Sequence, residues 1–142
     1  MAKTRSLSSI LEAAAQPEDV ADRIKILHDN DSPSLRQLLF LMWGPTKFLL
    51  PEGKPPYTPY TAEQVPYRLY NEMKRLYLFL EGGHPTLAQN KREQLFIELL
   101  ESIDPSDAEL LIAIKDKKTP WKKLARNVVM KAFPDLIPDE QK

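Results

Sequence analysis

Seven basic side chains crowd the stretch between Leu111 and Phe133: Lys115, Lys117, Lys118, Lys122, Lys123, Arg126 and Lys131, opposed there by Asp116 alone. The chemistry they offer is phosphate neutralisation, in which ammonium and guanidinium groups position a nucleic-acid backbone without reading sequence. On a helix opened by Pro120, Lys122 precedes Arg126 by one turn, and Lys123, Asn127 and Lys131 follow one another at the same spacing. That geometry predicts a basic ridge opposite a buried stripe of Trp121, Leu124, Ala125, Val128, Val129 and Ala132. Lys115 to Thr119 would bring further charge to the helix start, where free amides favour an anion. The competing reading is a solvated face, balanced within the chain by the acids between Glu98 and Glu109.

Catalytic patterns are missing from the sequence. His28 and His84 are far apart, and His84 sits in a Gly-Gly-His-Pro turn. No His-x-x-x-His spacing or acidic loop suggests a metal site. Pro51-Glu52-Gly53-Lys54 lacks the flanking strand and helix of a nucleotide-binding loop. Ser6, Ser8 and Ser9 have no partner base and are expected to cap a helix, while Glu98 and Glu101 form a pair that this charge density produces by chance. With no cysteine there is no thiol nucleophile, disulfide or zinc knuckle. The expectation is a protein that is not an enzyme and uses no cofactor.

The elements that must position these residues read as helices throughout. Apolar residues recur at three and four positions, with no sustained alternation, so the fold class is all-α, with about six or seven helices. Ser8 and Ser9 are expected to cap a short first helix within an N-terminal arm of residues 1–16. Pro17, Glu18 and Asp19 open a second helix, with Val20, Ala21, Ile24, Leu27 and His28 on one face. Asp29 to Pro33 caps a third, apolar nearly all round through Leu35, Leu38, Leu39, Leu41, Met42 and Trp43, which ends at Gly44-Pro45. A long proline- and tyrosine-rich connection runs to Pro66. Its Lys54, Tyr57 and Tyr60 form a possible partner-binding loop, or the segment is simply pinned to the helices by Phe48, Leu49, Leu50 and the two tyrosines.

Tyr67 to Leu80 restores helical spacing through Leu69, Met73, Leu76, Tyr77 and Leu80, and Gly82-Gly83 stops it. Lys91 to Ile103 follows, burying Leu95, Phe96, Leu99, Leu100 and Ile103. Asp104-Pro105-Ser106-Asp107 starts a helix containing Leu110 to Ile114, and the last helix runs from Pro120 to Phe133-Pro134. A polar tail, residues 139–142, is expected to fray.

The 142 residues carry 20 basic and 20 acidic side chains with 42% hydrophobic content, enough for one domain around a single core. No apolar stretch is long enough to span a bilayer, and the N-terminus lacks a secretory core, so the expectation is a soluble cytoplasmic protein without a membrane partner. Zero net charge argues against recognition by bulk electrostatics and leaves uneven distribution as the route to a nucleic acid.

The second half of the chain resembles the N-terminal α-helical DNA-binding domain of ATP-dependent DNA ligases, especially those of T-even-type phages. The likeness rests on Ala108-Glu109-Leu110-Leu111, Lys115-Asp116, the basic segment, Val128 to Pro134 and Leu136-Ile137-Pro138. Asp29 to Gly44 resembles that domain's early helix pair, and Leu49 to Tyr57 its long loop, so the resemblance spans Val20 to Pro138. It implies a stand-alone small phage protein, in the host cytoplasm, that grips double-stranded or nicked DNA through backbone contacts made by Lys115 and the basic residues after it. Two departures stand out. The family's glycine after the arginine-aspartate-leucine run is replaced here by Lys118-Thr119-Pro120, and no Lys-x-Asp-Gly adenylation motif occurs. The alternative is an interaction module for a replication or transcription protein that has kept the fold and lost the DNA role.

Overall fold

The first three helices begin where a side chain takes over a backbone amide that the first turn leaves unpaired. A computed structural model describes residues 6–61 and 67–137. In α1, Leu7–Ala14, the cap is Ser6, whose Oγ accepts from Ser9 N at 3.3 Å. The expected caps, Ser8 and Ser9, therefore lie inside the first turn. In α2, Val20–Asp29, the cap is Asp19, which accepts from Ala21 N at 3.3 Å. Pro17 and Glu18 fall outside this helix because the Arg23 guanidinium takes their carbonyls, at 2.8 Å and 2.7 Å.

Helix α3, Pro33–Trp43, starts as the sequence predicts, with Ser32 Oγ accepting from Leu35 N at 3.1 Å and proline in the first turn. Leu35, Leu38 and Leu39 are fully buried, which makes α3 a central helix. The chain then runs irregularly from Gly44 until it touches the far side of the core. There Phe48 and Leu80 form an isolated antiparallel bridge, with Leu49 N donating to Phe79 O at 2.8 Å and Glu81 N to Lys47 O at 2.9 Å.

Helix α4, Tyr67–Glu72, continues without a break into a 3-10 helix, Met73–Phe79. The tighter winding changes which side chains face inward. Met73, Leu76 and Phe79 recur every third residue and are buried, whereas Tyr77, expected on the core face of an α-helix, is 48% exposed. Leu80 is only half-buried, beyond the last turn.

Helices α5, Gln89–Ser102, and α6, Pro105–Lys115, pack on each other, and α6 also meets α1 and α3. The last helix, α7, Arg126–Ala132, lies against α2. It is shorter than the sequence predicts: residues 121–125 form a turn in which Leu124 N reaches Trp121 O at 3.3 Å. Tertiary contact causes the shortening. Arg23 Nη1 donates to Lys123 O at 3.1 Å, claiming the carbonyl that a helix from Pro120 would offer to Asn127, and Ala125 is left extended at ψ 172°. Among the described residues there are seven α-helices and no strand, and no helix is long and apolar enough to cross a membrane. The expected frayed tail, residues 139–142, lies outside the described residues.

Candidate functional site

The lysine-rich segment begins where α6 ends, and its course is set by one left-handed residue. Lys117 has φ 58°, its N–H donating to Ile114 O at 3.1 Å, while Lys118 N donates to Ala113 O at 2.9 Å. This pair of bonds is the Schellman helix stop, in which glycine usually occupies the left-handed position. A side chain there costs about 1 kcal/mol or more. The Lys117 ammonium offsets that cost with contacts to Leu41 O at 2.6 Å, Gly44 O at 3.1 Å and Thr46 Oγ1 at 2.9 Å. These carbonyls belong to the C-terminal end of α3, where a cation opposes the helix dipole. Burial holds the Lys117 pKa below the usual lysine range.

Lys115 is directed inward. Its side chain is 1% exposed, and its ammonium donates to Pro51 O at 2.7 Å, Gly53 O at 2.9 Å and Asp116 Oδ1 at 2.5 Å. All three protons are used, so the group expected to reach phosphate is enclosed and saturated. Asp116 completes the clamp by accepting from Gly53 N at 3.1 Å, and Lys118 pairs with Glu52 at 2.8 Å, which raises the Lys118 pKa. Lys115, Asp116 and Lys118 thus grip the turn at Pro51 to Gly53.

The remaining cations divide. Lys123 pairs with Glu18, whose carboxyl pKa is lowered by that bond. Lys122 and Lys131 are exposed and Arg126 is half-buried. Because residues 121–125 are a turn, the continuous helical ridge expected from Lys122 to Lys131 does not form.

The proline-rich loop is held at several points between Leu49 and Tyr60. Lys54 pairs with Glu109 at 2.9 Å, and Tyr57 donates to the same carboxylate at 3.3 Å. Thr58 N donates to Glu101 at 2.8 Å, Gln89 Nε2 to Leu49 O at 2.8 Å, and the Arg68 guanidinium lies 4.3 Å above the Tyr60 ring. Of the two expectations for this loop, the pinned segment matches these contacts. It covers a small apolar cavity of about 120 Å³ whose wall includes Phe96, Ile97 and Lys115.

Sequence reasoning missed two features. The first is an open groove of about 390 Å³ between α1 and α6, floored by Leu110, Ala113, Pro120 and Trp121 and rimmed by Glu12 and Glu109. Ser8 and Ser106, bonded Oγ to Oγ at 3.0 Å, join the two helices there. Its signal was the spacing of Ser106, Glu109, Leu110 and Ala113 along one side of α6, hidden within the continuous apolar run from Leu110 to Ile114. The second is Asp107. The residue is fully buried, Oδ1 accepts from Ser8 N at 3.1 Å, and Oδ2 has no hydrogen-bond partner. Burial raises its pKa above the usual carboxylate range, against the hydrogen bonds from Ser8. His28, expected on one face of the second helix, contacts Ala132 O through Nε2 at 2.6 Å and joins α2 to α7.

A family model described as a family of unknown function, DUF6433, matches residues 10–120. The chain belongs to this family. No curated protein matches it. The part matched to DUF6433 runs from α1 to the residue before Trp121, and so includes the proline-rich loop, both rim carboxylates of the groove and the whole clamp formed by Lys115, Asp116 and Lys118. Lys122, Lys123, Arg126 and Lys131 follow it.

Proposed function

We propose that this DUF6433 protein is a non-catalytic interaction module that docks a segment of another protein, the resemblance to ligase domains pointing to a replication or transcription component. One observation carries this reading over DNA binding. The ammonium group of Lys115 is buried and saturated, and those of Lys117, Lys118 and Lys123 are taken up by the protein nearer its surface, while the groove floored by Leu110, Ala113 and Trp121 is open. A phosphate backbone needs cations that can exchange water for phosphate, and a saturated buried lysine cannot. An open apolar floor with a polar rim suits a protein segment.

Sequence-independent binding of duplex or nicked DNA keeps one supporting observation: Lys122 and Lys131 remain exposed, with Arg126 between them in sequence. Three cations would give a log affinity falling with log salt at a slope of about −3.

Fluorescence anisotropy with labelled intact, nicked and single-stranded DNA separates the two readings. The interaction module gives no salt-sensitive binding by the folded wild type between about 50 and 200 mM salt. Salt-sensitive binding that is abolished by Lys122→Glu/Arg126→Glu/Lys131→Glu would establish the DNA role instead.

A further inference from the structure

Resting on the interaction reading, we infer that the groove between α1 and α6 takes a peptide segment pairing a large apolar side chain with a lysine or arginine. The floor supplies the apolar half. Leu110 is buried, Ala113 and Trp121 are half-buried, and Pro120 is exposed, so an apolar side chain laid over them loses water from both surfaces. The small side chain of Ala113 leaves the space that such a residue fills, and an indole beside it is the side-chain type on which interface energy concentrates.

The rim supplies the basic half. Glu12 is exposed on α1, and its carboxylate has no partner among the described residues. Glu109, exposed on α6, already holds an ammonium: Lys54 reaches it at 2.9 Å, with Nζ 5.7 Å from the Tyr57 ring. The protein thus displays at one carboxylate the pairing that a ligand would repeat at the other. With Glu109 already paired to Lys54, the unpaired carboxylate of Glu12 beside the apolar floor disfavours an acidic segment, since a like charge brought next to it is repelled. Charge complementarity therefore selects a basic-apolar segment.

Selection from a library of random octapeptides against the folded wild-type protein tests this inference. The recovered sequences should combine leucine, isoleucine, phenylalanine or tryptophan with lysine or arginine. Glu12→Arg, on the exposed face of α1, should weaken them about tenfold by removing an attractive rim charge and adding a repulsive one. Ala113→Arg should abolish binding by filling the floor. If Ala113→Arg fails to fold by circular dichroism, Glu12→Arg still decides. Peptides that bind without basic enrichment, or that ignore both substitutions, would overturn the groove assignment while leaving an interaction module in place. Recovery of no peptide would remove both. A groove occupied by a second copy of the chain would appear as concentration-dependent dimerisation blocked by Ala113→Arg, and would also overturn the proposal.

Discussion

The lysine-rich stretch has two halves of similar composition and opposite surroundings. From Lys115 to Lys118 every cation is bound within the molecule: to the carbonyls of the Pro51 turn, to the end of α3, and to Glu52. From Lys122 to Lys131, Lys123 pairs with Glu18, while Lys122 and Lys131 face solvent. The first half lies within the span matched to DUF6433, and the second follows it. A run of lysines thus describes what a segment can bind, and the path of the backbone decides whether it binds its own chain or a partner. Here a left-handed residue at Lys117 turns the chain back against the loop and α3, and makes the first half structural.

Substitution at the centre of the clamp should give the largest difference between the halves. Lys115→Met leaves Asp116 and two carbonyls without their donor, and should cost about 3 kcal/mol, because breaking a buried pair strands the other charge. Lys122→Ala should change stability by no more than about 0.5 kcal/mol. Urea unfolding measures both, and equal effects would erase the distinction between the halves.

At Lys117 the two contributions separate. Lys117→Ala loses the contacts to α3 and keeps the left-handed backbone, whereas Lys117→Gly loses the same contacts and relieves the backbone. Glycine should therefore be the more stable of the two by about 1 kcal/mol. An alanine variant as stable as the glycine variant would mean that the left-handed turn is not retained.

Asp107 supplies a contrast to Lys115, a buried carboxyl with one oxygen unpartnered against an ammonium fully satisfied. With its folded pKa raised, the folded state holds a proton that the unfolded state has released between the ordinary carboxylate pKa and the raised value. Stability from this group therefore falls as pH rises through that window. Asp107→Asn should flatten this part of the pH dependence in thermal melts. An unchanged slope in the variant would assign the pH dependence to other groups.

Within the first half, the smallest effect belongs to the exposed pair of Lys118 and Glu52. Lys118→Ala should cost about 0 to 1 kcal/mol, and less at high salt, because a solvated ion pair gains little over its hydrated partners. A larger loss would mean that Lys118 holds the Pro51 turn as firmly as Lys115 does.

Much of the fold was legible in local chemistry. Ser32-Pro33 and Asp104-Pro105 mark the starts of α3 and α6, and three-and-four spacing identifies the core faces of α3 and α5. Local reading fails where a distant group competes for the backbone. Arg23 takes carbonyls from Pro17, Glu18 and Lys123, trimming the expected start of α2 and removing the first part of α7. The 3-10 winding of residues 73–79 likewise moved Tyr77 outward and Phe79 inward, a change that a search at helical period misses.

The sequence alone determined that the chain is helical, that its lysines are concentrated near one end, and that no cysteine chemistry is available, since these follow from residue types and their near spacing. Only the tertiary structure decided which lysines are free, that the proline-rich loop is fastened down, and that an open groove lies between α1 and α6. Those outcomes depend on pairings such as Lys115 with Pro51 and Ser8 with Asp107, separated by 64 and 99 residues. Which of several donors reaches a given carbonyl or carboxylate is settled when the core closes, because burial penalises each polar group left without a partner.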